Sequence, residues 1–113
     1  MSFFEYSFPD EIVESFLYDS KNNLIEISFE SYSRNGDFIE TPCKLVIKDW
    51  VQANSKLHNA KEYGPLESCL GVISLILSIT SDKERVCIVA NTIDDKYIDL
   101  LFTNPYIYVE TLS

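Results

Sequence analysis

Short apolar runs, each separated from the next by Asn, Asp, Gly or other polar residues, recur along the chain. Alternating apolar and polar positions within runs of this length are typical of half-buried β-strands. We therefore expect a β-rich chain, with its main runs at 12–19, 24–33, 38–48, 66–80, 85–92, 96–103 and 106–110.

The first two runs flank a polar loop at 20–23. If this loop closes a hairpin, it places Phe16 opposite Ile27 and Glu14 opposite Phe29. Alternate residues of both strands then share one apolar face, because side chains of a strand point to opposite sides of a sheet in turn. The pattern predicts an antiparallel hairpin with one face on a core.

The third run, 38–48, returns beside the second. A two-residue turn at 35–36 would mix apolar and polar faces in this pair of strands. A three-residue loop at 34–36, with its glycine in the left-handed conformation, instead puts Cys43 opposite Ile27 and keeps the faces separate. We therefore predict the three-residue loop.

This register also fixes two pairs of charged residues. It sets Glu26 opposite Lys44, a favourable cross-strand pair, and leaves Glu30 facing Glu40. Two carboxylates directly opposite each other cost stability unless a cation neutralises them. The Glu30–Glu40 pair therefore marks a place where a positively charged partner could bind.

The middle of the chain is less regular. Asp49 could cap a short helix near Trp50, followed by a polar crossover loop over 54–65. The run 66–80 fits either an apolar helical stripe or a strand, and Gly71 with the β-branched residues favours the strand. As a strand, its apolar face would hold Ile73, Leu75, Leu77 and Ile79.

The last third predicts three strands, 85–92, 96–103 and 106–110, joined by tight turns at 93–95 and 104–105. Both faces of these strands are rich in apolar residues, which implies a second layer supplied by the first three strands or the region around Trp50. Pairing across the turns would gather on one face Val89, Leu100, Phe102, Ile107 and Val109.

These elements predict the fold class. With 113 residues, 46% of them hydrophobic, the chain has the size and core of a single domain covering 1–113. We expect a β-rich α+β domain with a mostly antiparallel sheet of about six or seven strands, meander-like or sandwich-like, and one short helix near Trp50.

Charge narrows the class of partner. The chain has 18 acidic against 9 basic residues, a net charge of −9, and its basic residues are scattered singly. An acidic surface repels phosphates, so we expect neither a nucleic-acid partner nor an anionic membrane. A basic protein is the partner that such a field attracts.

Targeting signals and cysteines indicate the compartment. The segment 1–14 has no basic residue and no uninterrupted apolar stretch, unlike a secretory signal. The longest charge-free stretch, 68–81, is shorter than the roughly 20 residues of a membrane-spanning helix. The 3 cysteines lack metal-type spacing and lie in apolar runs, as reduced core thiols do. We expect a cytoplasmic protein.

Residues suited to nucleophilic catalysis are few. His58 is the single histidine and lies in a polar loop, while Cys43, Cys69 and Cys87 lie in apolar runs where a thiolate is disfavoured. A catalytic triad needs all its members to converge. We therefore expect a solvated histidine, core thiols and no enzyme.

Three carboxylates, Asp94, Asp95 and Asp99, fall on one turn. No calcium-binding loop surrounds them, and the glycines form no phosphate-binding motif, so a solvated acidic turn is favoured over a metal site. We expect no metal and no cofactor.

A recognition surface remains the best-supported function of the polar positions. Carboxylates steer a basic partner and adjacent rings supply desolvated anchors, although the same pattern suits a solubilising sheet face with aromatic packing. The first candidate patch is Glu26, Glu30, Tyr32, Asp37, Phe38 and Glu40. The second is Asp94, Asp95 and Asp99.

Four stretches carry a family resemblance: 24–33 (LIEISFESYS), 41–50 (TPCKLVIKDW), 91–97 (NTIDDKY) and 102–105 (FTNP). Together they resemble small immunity proteins of bacterial polymorphic-toxin and contact-dependent growth inhibition systems. The resemblance implies an acidic cytosolic protein that binds and blocks the toxic C-terminal domain of its cognate toxin, often a nuclease. It carries over no toxin-contacting residue, so both candidate patches come from the register argument.

Two other classes stay open. One is a small cytosolic regulatory or adaptor domain without a toxin partner, which could form a homodimer through an exposed strand edge. The other is an enzyme, which would need a deep pocket enclosing His58 or the turn at 94–99. The pattern leaves the oligomeric state undetermined.

Overall fold

The computed structural model describes residues 5–9 and 11–111. In these ranges every strand pair is antiparallel, and the strands fall into three sheets accompanied by one helical turn. The prediction of a β-rich, mostly antiparallel chain is confirmed. The single sheet that the pattern predicted is not, because the strands divide among three sheets.

The largest sheet has five strands in the order β8-β7-β11-β10-β9. A four-residue helix, α1 (Leu66–Cys69), connects β8 to β9 along one end of this sheet. The strands are β7 (Gln52–Leu57), β8 (Gly64–Pro65), β9 (Ile73–Asp82), β10 (Arg85–Thr92) and β11 (Tyr97–Thr103).

The second sheet has four strands in the order β12-β6-β3-β2, and the smallest has three in the order β1-β4-β5. The four-stranded sheet comprises β2 (Ser15–Asp19), β3 (Leu24–Phe29), β6 (Cys43–Lys48) and β12 (Tyr106–Thr111). The small sheet comprises β1 (Tyr6–Ser7), β4 (Tyr32–Arg34) and β5 (Asp37–Ile39).

One hydrophobic cluster joins the two larger sheets. Alternate residues of β3 and β6 share it with alternate residues of β10 and β11, and burying each such side chain contributes about 1.5–3 kcal/mol. Trp50 is 7% exposed and its ring lies 5.0 Å from that of Phe102. At the rim, the Tyr18 hydroxyl donates to Glu67 Oε1 at 2.6 Å and ties β2 to α1.

The predicted register of the first hairpin is confirmed. Phe16 lies opposite Ile27 and Asp19 opposite Leu24. The hairpin closes through Asn23, whose φ of 48° lies in the left-handed region that asparagine tolerates better than most residues.

The register predicted for the next pair, β3 with β6, is wrong by two residues. Ile27 pairs with Leu45, and Cys43 pairs with Phe29. A shift of two residues preserves which side chains face the core, so the predicted faces hold. The Glu26–Lys44 pair also forms, on a diagonal, with 3.8 Å between its charged atoms.

The shift originates at the hairpin tip. Asn35 and Gly36, with φ of 52° and 88°, form the two-residue turn that the face argument had rejected. Between the tip and the main hairpin, 30–31 on one strand face 40–42 on the other, so one strand carries an extra residue. This bulge restores the face pattern and bends the tip into the small sheet.

The segment after β6 differs from the prediction. The expected helix near Trp50 and the expected loop over 54–65 are wrong, because 52–57 form β7 in the interior of the five-stranded sheet. Ser55 is fully buried there, and its hydroxyl bonds the carbonyls of Pro65 and Leu66 at 3.0 and 2.8 Å. A polar strand can be buried when its side chains find such partners.

The ambiguous run 66–80 contains both elements, a helical turn and then β9. Two register irregularities in β9 break the predicted alternation. Each bulge adds one residue to the strand and so switches the alternation of its faces, with the result that Ile73 and Ile76 are buried while Leu77 is 52% exposed. The predicted face with Leu75 and Leu77 beside Ile73 is therefore wrong.

The last three strands lie where predicted but do not form a meander. β10 pairs with β11, whereas β12 crosses to the other sheet and pairs with β6. Val89 pairs with Asp99 and points away from the face that holds Leu100 and Phe102, so its predicted face is wrong. The second layer that the apolar faces implied is present.

Candidate functional site

The outer end of the β2–β3 hairpin brings two carboxylates together. The backbone N–H of Glu14 donates to the Ser28 carbonyl at 2.8 Å, which extends the pairing of β2 by one residue. Glu30 follows directly after β3, and its carboxyl group lies close enough to that of Glu14 to raise the pKa of Glu14. Both side chains are exposed. We call these two residues the acidic pair.

The proximity of Glu30 favours the protonated form of the Glu14 carboxyl group. The hydrogen bond with Glu30 raises the pKa of the Glu14 carboxyl, and desolvation and the negative charge of Glu30 add to the rise. A hydrogen bond between two carboxyl groups exists only while one of them keeps its proton. Ionisation of both therefore leaves two like charges in contact.

Among the residues that the structure describes, no basic side chain forms an ion pair with the acidic pair. Within 5–9 and 11–111, ion pairs use the carboxylates of Glu5, Glu26 and Asp99, and none includes Glu14 or Glu30. Arg34 at the hairpin tip is bonded to Glu5 at 2.8 Å. The acidic pair is therefore open to a cation from another molecule.

The hairpin tip next to the acidic pair carries exposed residues of the first candidate patch. Asp37 and Glu40 are exposed, and the Phe38 ring is 63% exposed in β5, an edge strand of the small sheet. Tyr32 is 6% exposed and its ring lies 5.8 Å from that of Tyr6, so the expectation that it lies on the surface is wrong.

Glu30 and Glu40 do not form the predicted cross-strand pair. Tyr32 pairs with Ile39 at the tip, and the bulge next to this pair shifts Glu30 out of register with Glu40. Glu14 takes the place of Glu40 as the neighbour of Glu30. The sequence carried a signal for this contact, since the first hairpin register already placed Glu14 opposite Phe29, one residue from Glu30.

The second candidate patch is divided. Asp94 and Asp95 are exposed in the turn between β10 and β11, where Asn91 Nδ2 donates to Asp95 Oδ1 at 3.3 Å. Asp99 is 8% exposed and lies on the outer face of β11 beneath other side chains. The prediction that all three carboxylates share one solvated turn is wrong for Asp99.

Asp99 is the centre of a polar network that the sequence argument missed. Lys56 Nζ lies 3.2 Å from one carboxylate oxygen, and His58 Nδ1 lies 2.7 Å from the other. Lys56 also donates to the carbonyls of His58 and Ala60, which holds the loop after β7 against the sheet. His58 is the exposed loop histidine that the sequence predicted, but its ring is also bonded to Asp99, which the sequence did not predict.

The same face includes a thiol beside a phenol. The Tyr63 hydroxyl and the Cys87 thiol are close enough to affect each other's pKa, and burial raises the pKa of Tyr63 to about 12. Burial also raises the pKa of Cys87, although the bond from Tyr63 and the charge of Lys56 oppose that rise. A thiol with a raised pKa is a poor nucleophile near neutral pH.

An open pocket of about 280 Å³ adjoins His58 and is lined by Leu57, His58, Asn59, Lys96 and Tyr97. Its lining contains a histidine bonded to a buried aspartate, the arrangement found in general-base pairs. The lining contains no serine, threonine or cysteine. The pocket is also open to solvent on one side, unlike the deep enclosure that the enzyme hypothesis needs.

The described part of the chain contains neither a metal-binding cluster nor a membrane-spanning helix. There, no three or more His, Cys, Asp or Glu side chains are grouped so that they could hold a metal ion. None of the helical segments described has the length and apolar character needed to cross a bilayer.

Comparison with known proteins identifies no relative of this chain. The chain was compared with protein-family models, with curated proteins and with solved structures, and no significant match was found in any of the three.

Proposed function

We propose that this chain is a cytoplasmic immunity protein. It binds the toxic C-terminal domain of a cognate bacterial toxin, a basic nuclease domain, and blocks it by occlusion without catalysing a reaction itself. The exposed cluster formed by the acidic pair with Asp37, Phe38 and Glu40 at the hairpin tip is the observation that carries the proposal. Sequence resemblance and net charge support it.

The acidic pair suits a basic protein partner for a physical reason. Two contacting carboxylates repel each other in the free protein, and a lysine or arginine placed between them converts that repulsion into charge-assisted hydrogen bonds. Nuclease clefts are built to bind phosphates, and paired carboxylates present the negative charge that such a cleft attracts. The partner is therefore a protein with a basic cleft, and neither nucleic acid nor a membrane.

The exposed tip provides the remainder of the contact. Phe38 supplies an apolar anchor and Asp37 and Glu40 supply charge around it, which is the usual composition of a protein interface with a desolvated centre and a polar rim. Glu26 contributes less, because Lys44 already partners it. Asp94 and Asp95 form a separate, smaller acidic surface.

One observation favours a second candidate function. The edge strand β12 pairs only with β6 among the described strands, so its other side is open to a further strand. An open edge of this kind suits a small regulatory or adaptor domain that acts as a homodimer without a toxin. Genomic context separates the two candidates, since an immunity gene should lie next to a large toxin gene.

Co-expression tests the proposal. The C-terminal domain encoded by the neighbouring toxin gene should arrest growth when expressed alone, and growth should be restored when this chain is expressed with it. The two proteins should also copurify as a stable complex. Growth arrest that persists in the presence of soluble chain, with no complex recovered, would overturn the proposal.

The acidic pair also makes a prediction about the free protein. The folded-state pKa of Glu14 lies above its ordinary value of 4.5, so its stabilising contribution is complete below that value and is lost as pH rises through the folded pKa. Glu14→Gln imitates the protonated form. We expect its urea midpoint to exceed that of the wild type at neutral pH, with the difference disappearing below the ordinary pKa.

Glu62→Gln is the matched control, because Glu62 is also exposed and has no carboxylate bonded to it. It should leave the midpoint unchanged at both pH values. Equal midpoints for Glu14→Gln and the wild type at neutral pH would show that the two carboxylates do not repel each other in solution.

A further inference from the structure

β12 forms an open edge of the four-stranded sheet over Tyr106–Thr111. Among the described strands only β6 is bonded to it, so the backbone groups on its other side have no strand partner there. An edge of this length can add a further strand, and proteins that remain monomeric usually protect such edges with lysine, proline or bulges. β12 pairs with β6 without a register shift.

The charges around this edge are balanced, unlike those of the whole chain. The outer face beside β12 carries Lys44 and Lys48 of β6 together with Glu26 and Glu110. Lys48 Nζ lies 5.4 Å from the ring centre of Tyr106. A second copy with a net charge of −9 is therefore repelled less here than at a surface without lysines.

We propose that two copies of this chain pair through β12. The strands run antiparallel about a two-fold axis at Tyr108 and join the two four-stranded sheets into one continuous sheet. A two-fold axis makes such a contact self-complementary and closed, so the assembly stops at a dimer.

In the proposed register, side chains on both faces of the sheet have favourable neighbours in the second copy. On the outer face, Glu110 of the second copy lies opposite Tyr106, in the row that contains Lys48, and can pair with that cation. On the inner face, Ile107 lies opposite Val109 of the second copy. Both residues are half-buried at the open end of the core, and the second copy would cover them.

The dimer is independent of the proposed immunity function. β12 and β2 form opposite edges of the same sheet, and the acidic pair lies at the β2–β3 end. A dimer through β12 leaves both acidic pairs accessible to a partner. Failure of the dimer therefore leaves the immunity proposal standing, and the reverse also holds.

Sedimentation equilibrium over a range of protein concentrations tests the dimer. We expect a mass of twice 13.0 kDa for the wild type. Tyr108→Lys and Tyr108→Glu each place like charges opposite each other at the axis, so the dissociation constant should rise by about tenfold or more. An equimolar mixture of the two variants should dimerise again, because opposite charges then meet.

Leu17→Lys is the matched control. Leu17 occupies the other end of the same cross-strand row, through Glu26 and Val46 to Tyr108, and is 48% exposed. It should dimerise like the wild type. Circular dichroism should show that all variants are folded. A wild-type mass of 13.0 kDa at every concentration, or a dimer unaffected by both Tyr108 variants, would refute the proposal.

Discussion

Replacing both Glu14 and Glu30 by lysine is expected to slow association with the toxin domain by about tenfold to a hundredfold, because close carboxylates steer a basic partner toward the contact. The variant should also lose much of the salt dependence of the association rate, since fewer charges remain to be screened. Stopped-flow or surface-based kinetics at several salt concentrations measures both effects, and the same variant should fail to protect growth.

Glu62→Lys with Glu84→Lys is the control for net charge. Both residues are exposed, lie outside the acidic pair and the hairpin tip, and change the total charge equally. This variant should keep most of the wild-type rate. If both double variants slow association to the same extent, the effect belongs to the overall field of the protein and the acidic pair is not the binding site.

Phe29→Ala is expected to destabilise the fold by about 3–5 kcal/mol. Phe29 is 0% exposed, and its ring stacks on that of Phe8 with 4.1 Å between the centroids. A domain of this size has a total stability of about 5–15 kcal/mol, so the variant should unfold at much lower urea and could be partly unfolded at growth temperature. Urea denaturation followed by tryptophan fluorescence measures the loss.

Phe38→Ala provides the matched comparison, since the same substitution is made at a ring that is 63% exposed. We expect its stability to change by less than about 0.5 kcal/mol, while its affinity for the toxin domain falls. A large loss of stability in Phe38→Ala would place this ring in the fold rather than in the contact surface.

Local patterns predicted local structure well. The pairing of Phe16 with Ile27 and the strand at 85–92 were predicted from the alternation of apolar and polar residues and from short loops. Both signals depend on residues that are close in sequence. The predicted faces of β6 are correct although the predicted register is wrong by two residues. A bulge and a two-residue turn together give the same alternation of faces as a three-residue loop would.

Features that depend on distant parts of the chain were not predictable in this way. β7 looks like a loop because its polar side chains find partners, such as the Pro65 carbonyl for Ser55, only in the assembled sheet. The pairing of β12 with β6 instead of β11 likewise depends on tertiary packing. β-propensity describes a half-buried surface and carries no information on which strand lies beside it.

The candidate site was predicted in part. The exposed acids at 37 and 40 follow from the hairpin, but Glu14 was missed because one residue of offset at the bulge decides which carboxylate meets Glu30. The pattern also did not predict that Asp99 is buried. The lysine that covers it, Lys56, comes from β7, which was expected to be a loop.

The passage of the chain from β11 in one sheet to β12 in the other has a consequence for the folding rate. β12 meets β6 across about sixty residues of sequence, and contacts between such distant segments form slowly because a long loop must first close. The β9–β10–β11 hairpins require only short loops and can form early. Until β12 docks, β6 keeps an unpaired edge, so we expect the molecule to be most prone to misassociate in this interval.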